Sequence, residues 1–299
     1  MSRLAFAQLR RRIAAEELAA LRAGAVPQAL GEDLRAAFTA GPRAIILEGL
    51  DPDTLGVEGA EAALALLGAE LGTLSVQSPR GERIMRVEKH ADNPEARGTM
   101  TDLELRPHTD MHDILALASI HTAREGGESM LVDVAELHAE LARRHPETLA
   151  PLQRGYWFGS NPVVRSLEPI SAERVPLIDT THGRPMACYN GYFLRQAMIR
   201  RGEEADPELV DALEKMGEVA MELAVRDLFV LAPGEVLFWH NWSWLHGRTS
   251  FRSPPGDPPR MLLRLWLRSD IAGPVHPEYR IRAEIIDRDH LRMMEREDL

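Results

Sequence analysis

Apolar positions in the N-terminal part of the chain recur at the spacing of a helix. Residues 4–23 and 29–39 combine this periodicity with many Ala, Leu, Arg and Glu residues, and residues 57–71 repeat it up to Gly72. Between them, residues 44–50 (AIILEGL) form a short apolar run that is typical of a buried strand. We therefore expect this part of the chain to be rich in helices with few strands.

From Arg83 onwards the pattern changes to short apolar runs separated by Gly, Pro, Asn and Asp, which predicts many strands joined by turns. The runs are ERIMRVE, ILALASIHT, SMLVDV, RGYWFG, PMACYN, DLFVLA, EVLFWH and MLLRLWLR. Helical patterns interrupt them at residues 134–144 and 207–225, and Pro207 suits the first turn of the second. The stretch SPPGDPP (253–259) is predicted to be a surface loop between two strands.

The chain shows no internal repeat and no long linker, which favours a single domain over residues 1–299. We expect a mainly β fold with helices, built on a double-stranded β-helix (jelly-roll) core over residues 83–286 that carries the two helical inserts. A helix-rich N-terminal buttress would cover residues 1–82, and residues 287–299 would form a tail.

Charge and composition disfavour several classes of partner. A formal net charge of −11 argues against the phosphate backbone of a nucleic acid and against an anionic membrane surface. No run approaches the roughly 18–20 apolar residues of a membrane span, and the N-terminal segment lacks the apolar core of a signal peptide. Cys188 is the single cysteine, which excludes an intramolecular disulfide. We expect a cytoplasmic protein that acts on a small molecule; the oligomeric state stays open.

Two histidines and a carboxylate offer the chemistry of a metal site. His108 and Asp110 lie in RPHTDMHD, and His246 follows 138 positions later in WHNWSWLHGR. If the three converge, they form the ligand set that leaves three open positions on a ferrous ion, as in oxygenases.

The spacing of His108 and Asp110 alone is weak evidence, because the chain holds five His-x-acid triplets. The other triplets begin at His90, His138, His145 and His276. Residues two apart share a face in an extended strand but diverge on a helix, and His138 and His145 lie in or beside a predicted helix. The triplet at His108 follows an extended segment, so it is preferred.

The second histidine has a rival in His240, six residues upstream of His246. Gly247 permits a close backbone approach next to His246, and Arg248 marks a polar cleft, so His246 is preferred. The alternative is that His246 fills an aromatic core beside the neighbouring tryptophans.

Arg264 stands out in the strand MLLRLWL. Alternation places it on one face with Leu262 and Trp266, opposite a wholly apolar face, so its guanidinium is expected to be at least partly buried. A buried guanidinium requires a carboxylate partner. That partner is either an acidic side chain of the protein or an acidic ligand.

Taken together, these blocks resemble the taurine dioxygenase and clavaminate synthase-like group of iron(II)/2-oxoglutarate oxygenases. The matching blocks are HTD (108–110), EGGESMLVD (125–133), GEVLFWHNWSWLHGRTSF (234–251) and RMLLRLWLR (260–268). They span roughly residues 106–268, and residues 72–87 are similar to the segment that precedes the metal motif in this group.

The resemblance implies roles for individual residues. His108, Asp110 and His246 would bind Fe(II), and Arg264 would pair with the distal carboxylate of the cosubstrate 2-oxoglutarate. Ser129 would contact the same carboxylate unless it is only a turn serine, and Arg260 would assist. The expected reaction consumes O2 and 2-oxoglutarate and releases succinate and CO2. Because halogenating relatives replace the carboxylate ligand, Asp110 favours hydroxylation or another oxidation.

The substrate is expected to be a small organic acid or an amino-acid-derived metabolite, in secondary metabolism. Candidate contacts are Arg165, Tyr189, Asn190 and Arg195, with either arginine suited to an acidic group of the substrate. Two other functions stay open: a cupin-type metal dioxygenase that uses no 2-oxoglutarate, and a non-catalytic jelly-roll binding protein in which the histidines are structural.

Overall fold

The computed structural model describes residues 8–78, 80–89, 101–254 and 256–297. Within them the chain forms fourteen strands and eight α-helices. The strands are β1 (Arg10–Arg12), β2 (Ala44–Glu48), β3 (Thr73–Leu74), β4 (Ile84–Glu88), β5 (Leu105–His108), β6 (Ile114–His121), β7 (Glu125–Gly126), β8 (Ser129–Asp133), β9 (Ile178–Asp179), β10 (Met186–Ala187), β11 (Glu235–His240), β12 (Trp244–Arg248), β13 (Phe251–Arg252) and β14 (Met261–Arg268). The helices are α1 (Ala15–Arg22), α2 (Gln28–Thr39), α3 (Pro52–Ala69), α4 (Val134–Arg144), α5 (Leu149–Arg154), α6 (Gly191–Arg201), α7 (Pro207–Ala224) and α8 (Pro277–Glu297).

The larger sheet has the order β1-β2-β11-β6-β14-β3, and β4 also pairs with β14. Its pairs are antiparallel except for β1 with β2. The strands β6 and β14 are buried almost throughout, as their apolar runs predict. Leu263, Leu265 and Leu267 pack in one cluster with the apolar face of α3, so helices cover this side of the sheet.

A smaller antiparallel sheet has the order β5-β12-β8. An apolar cluster joins the two sheets: it includes Trp239 and Trp266 from the larger sheet and Leu131 and Trp244 from the smaller one. In the smaller sheet His246 pairs directly with His108, which places the two histidines side by side.

Helices α4 to α8 contribute to a third apolar cluster, which packs against the smaller sheet through Met130, Val132 and Leu245. Asp133 caps α4 by accepting a hydrogen bond from the Ala135 backbone N–H. None of the helices in the described ranges combines the length and apolarity that a membrane crossing requires.

Much of the predicted secondary structure is confirmed, including the helix at 134–144 and the strands EVLFWH and MLLRLWLR. The helix expected over residues 4–23 is partly wrong, because Arg10–Arg12 forms β1. The backbone of this segment pairs with β2, and the Arg10 guanidinium bridges Glu48 and Glu235, so sheet pairing overrides local helix propensity.

Two further expectations differ from the structure. DLFVLA forms only an isolated bridge, between Phe229 and Ser129, and the side chains of Leu228 and Val230 are exposed. RGYWFG likewise makes only isolated bridges. The helices α6 and α8 were not expected, and α8 runs through the predicted start of the tail at residue 287.

Candidate metal centre

His108, Asp110 and His246 converge. One ligand atom from each lies within 4.8 Å of the others, and this trio is the His/Cys/Asp/Glu group that meets this criterion within the described ranges. The imidazole centroids of His108 and His246 are 4.3 Å apart, and His108 Nε2 lies 3.9 Å from Asp110 Oδ1. The direct pairing of β5 with β12 creates this arrangement, and Asp110 follows two residues after His108.

Each histidine offers one ring nitrogen to this group. His108 Nδ1 lies 2.9 Å from the carbonyl oxygen of Arg106, which assigns the proton to Nδ1 and leaves Nε2 free. Burial, together with the neighbouring His108, lowers the pKa of His246 to about 3, so His246 is neutral. Its Nδ1 is buried without a hydrogen-bond partner among the described residues. An unpartnered buried nitrogen on a neutral imidazole fits a bound metal ion.

Asp110 is held as an ionised ligand. Burial alone raises its pKa, but Arg264, His246 and His108 outweigh that effect and leave the pKa lowered. Trp266 Nε1 donates to Asp110 Oδ2 at 3.0 Å, and Arg264 Nη1 lies 3.6 Å from the same oxygen. The other oxygen, Oδ1, faces His108 and is the one available to a metal.

The segment that carries Asp110 is irregular, and buried side chains fix its backbone. Asn241 accepts from the Asp110 backbone N–H at 3.0 Å and donates to the carbonyl oxygens of Asp110 and His112 at 2.8 and 2.9 Å. The Thr109 N–H donates to the Tyr189 carbonyl at 2.7 Å, and Thr109 Oγ1 accepts from the Tyr189 N–H at 2.9 Å. The carboxylate is therefore positioned from both sides.

Arg264 lies in the middle of β14, next to Asp110. Its Nε donates to Gln77 Oε1 at 2.8 Å, and its guanidinium packs over the Trp266 ring at 4.3 Å. The predicted burial of this arginine is confirmed, since its side chain is 10% exposed. Its Nη1 lies 3.6 Å from Asp110 Oδ2, so a carboxylate of the protein is one acidic partner of Arg264.

Arg260 and Ser129 line a narrow pocket together with Ser119 and Thr122. Arg260 is buried, and no ion pair of its guanidinium is found within the described ranges. Burial and the nearby Arg248 lower the pKa of Arg260 to about 10, so it is still cationic at neutral pH. The hydroxyl of Ser119 is also buried without a partner among the described residues. This combination fits an acidic ligand.

Gly127 allows the pocket to close around Arg260. Its φ is +78°, and a Cβ at this position would lie 3.3 Å from Arg260 Nε and 3.3 Å from Phe251 Cβ. Glycine is therefore required both by the backbone conformation and by the close approach.

The four residues predicted to contact the substrate lie in different parts of the structure. Asn190 caps α6 and donates through Nδ2 to the Thr109 carbonyl at 2.9 Å. This bond places Asn190 and Tyr189 against the segment that carries Asp110 (residues 109–112), which we call the metal-binding segment. Arg195 is exposed and lines an open pocket of about 620 Å³ with Tyr189. Arg165 is exposed beside α8, where its carbonyl accepts from Arg292, so it is not brought to the metal ligands.

The competing histidines lie elsewhere. His240 is buried and hydrogen-bonds Ser243 Oγ through Nδ1 at 2.7 Å. His138 is on α4, His276 precedes α8, and His145 Nδ1 lies 3.8 Å from Glu147 on the surface. The triplet at His90 lies outside the described residues.

Sequence reasoning missed three residues that hold the site: Gln77, Asn241 and Trp266. A signal existed for Trp266, because strand alternation places it on the same face as Arg264. No local pattern distinguishes Gln77 or Asn241, whose partners are 187 and 131 positions away.

The chain is similar to known oxygenases. The sequence model of the family described as "Taurine catabolism dioxygenase TauD, TfdA family" matches residues 5–266. FR-33289 synthase from Streptomyces rubellomurinus is 26% identical over 234 residues, which cover 74% of this chain and 68% of that protein.

Two solved structures have a similar fold. Asparagine oxygenase in complex with Fe(II), 2S,3S-3-hydroxyasparagine and succinate superposes with a TM-score of 0.71 at 17% identity, covering 87% of this chain and 93% of that one. The non-heme iron oxygenase OrfP in complex with Fe and alpha-ketoglutaric acid superposes with a TM-score of 0.63 at 16% identity, covering 87% and 94%.

Proposed function

The chain belongs to the taurine catabolism dioxygenase TauD/TfdA family, and from this premise we propose that His108, Asp110 and His246 bind the iron of an iron(II)/2-oxoglutarate-dependent oxygenase. The observation that carries the assignment is the convergence of the three ligand atoms within 4.8 Å. Two imidazoles and one carboxylate are the set that leaves neighbouring positions of a ferrous ion open.

The bound iron, 2-oxoglutarate and O2 together supply the oxidation, in which 2-oxoglutarate is converted to succinate and CO2 while the substrate is oxidised. The protein holds and orients the reactants. Trp266 and Arg264 occupy one oxygen of Asp110, so this carboxylate presents its other oxygen to the metal. A carboxylate at position 110 leaves no room for a halide ligand, which favours hydroxylation or another oxygen-dependent outcome.

We assign the distal carboxylate of 2-oxoglutarate to Arg260 and Ser129. Ser129 pairs with Arg248 on the neighbouring strand, two residues beyond the pair of Leu131 with His246, so it lies roughly 7 Å along the strand from the metal. Arg260 lines the same pocket as Ser129. This geometry suits a short molecule that has one carboxylate at the metal and another in the pocket.

With the distal carboxylate assigned to Arg260, Arg264 would lie near the end of 2-oxoglutarate that binds the metal. Its guanidinium lies against Asp110 and Gln77. Arg260 is four residues earlier, roughly 13 Å along an extended chain. The preference for Arg264 as the partner of the distal carboxylate is therefore revised: Arg264 orients Asp110 and faces the carboxylate that chelates the metal.

The proposed substrate is a small organic acid or an amino-acid-derived metabolite. The asparagine oxygenase structure contains 3-hydroxyasparagine, and an OrfP structure contains (3S)-hydroxy-L-Arg. In this chain the backbone of Tyr189 and the side chain of Asn190 contact the metal-binding segment, and the open pocket beyond Tyr189 carries Arg195. We propose that the substrate approaches the metal from this side and that Arg195 meets its acidic group. Arg165 is the weaker candidate, because of its position beside α8.

The finer architecture is proposed to be a single jelly-roll domain. Its support is the pair of mainly antiparallel sheets that share the apolar cluster around Trp239 and Trp244. We place the enzyme in the cytoplasm, where a reducing environment suits a chain with one cysteine. Cys188 is buried, and burial raises the pKa of its thiol, which keeps it protonated and unreactive.

The test is the anaerobic addition of Fe(II) and then 2-oxoglutarate to the metal-free protein. The chelate is expected to give a weak visible charge-transfer band that is absent from His246→Ala and present in His138→Ala. His138 is the matched control, because it also begins a His-x-acid triplet but lies on α4. A band that survives in His246→Ala would overturn the ligand assignment.

Two assays separate the alternatives. A cupin-type dioxygenase that uses no 2-oxoglutarate would oxidise its substrate without forming succinate. If the chain were a non-catalytic binding protein, the wild type and the variants His108→Ala and Asp110→Ala would all bind Fe(II) with the same affinity. We expect substrate-stimulated succinate formation and weaker iron binding in both variants.

A further inference from the structure

We propose that Asp287, on the C-terminal helix α8, is a positioning residue for the metal ligand Asp110 and acts through His112 and Trp266. The proposal rests on the proposed iron site. It extends that site to a helix that contributes none of the assigned ligands.

The first contact joins α8 to a buried ring. Asp287 Oδ1 lies 3.0 Å from His112 Nε2, and Asp287 Oδ2 accepts a hydrogen bond from Ser75 Oγ at 3.1 Å. The His112 side chain is fully buried and that of Asp287 is 15% exposed. Because the carboxylate accepts from Nε2, it fixes both the tautomer and the rotation of the ring. His112 Nδ1 is without a partner among the described residues, so Asp287 supplies the hydrogen bond that orients this ring.

The second contact is between the His112 ring and the indole of Trp266, whose orientation depends on that of His112. The rings of His112 and Trp266 are stacked, with their centroids 4.7 Å apart and their planes at 19°. The Arg264 guanidinium also packs over the indole. A ring confined in this way has one favourable rotation.

The third contact reaches the metal ligand. Trp266 Nε1 donates to Asp110 Oδ2 at 3.0 Å, and this bond selects which carboxylate oxygen faces the histidines. Partners of metal ligands of this kind determine the orientation and basicity of the ligand. The series Asp287, His112, Trp266, Asp110 is therefore continuous, and three of its four members lie within the sheet and the metal-binding segment.

If Asp287 were only a structural anchor of α8, its removal would still lower the stability of the protein. The two roles differ in what happens to metal affinity. An anchor affects the unfolding temperature of the metal-free protein, whereas a positioning residue also changes the affinity for Fe(II), and does so only while Trp266 can donate to Asp110.

The experiment measures the dissociation constant for Fe(II), titrated anaerobically without cosubstrate, and the melting temperature of the metal-free protein. We expect Asp287→Ala to weaken Fe(II) binding by about tenfold, the lower end of the range for partners of metal ligands. Asp287→Asn retains an acceptor for His112 and should recover most of the affinity. Glu284→Ala is the matched control on the same helix: it removes an exposed acid that pairs with Arg268, and it should leave the affinity unchanged.

A double-mutant cycle with Trp266→Phe completes the test. Phenylalanine keeps an aromatic ring against His112 but cannot donate to Asp110, so adding Asp287→Ala should cause no further loss of Fe(II) affinity. The proposal would be overturned if Asp287→Ala caused an equal loss of Fe(II) affinity in the wild type and in Trp266→Phe. It would also be overturned if Asp287→Ala lowered the melting temperature but left the Fe(II) affinity unchanged. Wild-type protein that binds no Fe(II) would instead refute the proposed function.

Discussion

Trp266 Nε1 donates a hydrogen bond of 3.0 Å to Asp110 Oδ2, and Asp110 Oδ1 lies 3.9 Å from His108 Nε2. The indole therefore engages one oxygen of the carboxylate and leaves the other facing His108, where the proposed metal would bind. A ligand that must bind through a single oxygen, and leave other positions of the ion open, needs its second oxygen to be held in this way.

The first prediction follows from this bond. Trp266→Phe should weaken Fe(II) binding by about 10- to 100-fold, the range measured for partners of metal ligands. Trp242→Phe is the control, because Trp242 Nε1 donates at 2.9 Å to Asp113, which is not a ligand. That change should lower stability and leave the affinity for Fe(II) as it is. Equal losses of affinity in the two variants, measured by anaerobic titration, would contradict the role of the bond.

The second prediction separates the two arginines of the cosubstrate site. Arg260→Ala should raise the KM for 2-oxoglutarate by about 10- to 150-fold, equivalent to about 1.5–3 kcal/mol for a hydrogen bond to a charged group, with unchanged affinity for Fe(II). Arg264→Ala should weaken Fe(II) binding itself, because this guanidinium lies 3.6 Å from Asp110. Arg252→Ala, at an exposed position nearby, should change neither. If Arg264→Ala alone raised the KM, the distal carboxylate would belong to Arg264.

The third prediction concerns Asn241. Asn241→Ala removes three hydrogen bonds to the backbone of Asp110 and His112 and leaves those groups buried. The free energy of unfolding in urea should fall by about 2–4 kcal/mol. Asn190→Ala removes a helix cap and one bond, so its cost should be smaller, about 1 kcal/mol. Similar losses for the two variants would show that Asn241 has no special part in fixing the segment.

The fourth prediction is a dependence of stability on pH. Burial, with repulsion from Arg43, lowers the pKa of His240 to about 3, below the value of about 6.5 in an unfolded chain. The unfolded state therefore binds more protons between these values, and stability is lost as pH falls below about 6.5. Each such histidine contributes a slope of up to about 1.4 kcal/mol per pH unit, and in the metal-free protein His246 behaves in the same way.

The measurement for this prediction is the free energy of unfolding between pH 6.5 and pH 5, above the range in which most carboxylates titrate. His240→Asn should reduce the slope of the free energy of unfolding against pH by the contribution of one histidine. This holds whatever the effect of the substitution on the absolute stability. A slope identical to that of the wild type would mean that His240 does not stay neutral in the folded protein.

Part of the candidate site could be predicted because strand alternation is a local property of the sequence. His108 and Asp110 are two residues apart after an extended segment, and the alternation of MLLRLWLR identified Arg264 as buried. The supporting residues could not be identified in this way. Asn241, Gln77 and Asp287 have no distinctive pattern around them, and their contacts depend on which distant strands and helices become neighbours.

One error in secondary structure has the same origin. Arg10–Arg12 lies in a sequence that favours a helix, yet it pairs with β2, whose edge would otherwise stay open. Contacts that are remote in the sequence outweighed local preference at this strand. The helix α6 is different: it was not predicted, although Gly202 ends it in the left-handed conformation that is a local signal of a helix end.

The pairing of His108 with His246 has a consequence for assembly of the protein. The strand β5 is at the edge of its sheet, and a metal held by both histidines cross-links it to β12 across 138 residues of intervening chain. A shift of β12 by one residue would turn His246 to the opposite face and prevent that cross-link. A metal bound by both histidines would therefore stabilise only those molecules in which β5 and β12 have paired in this register.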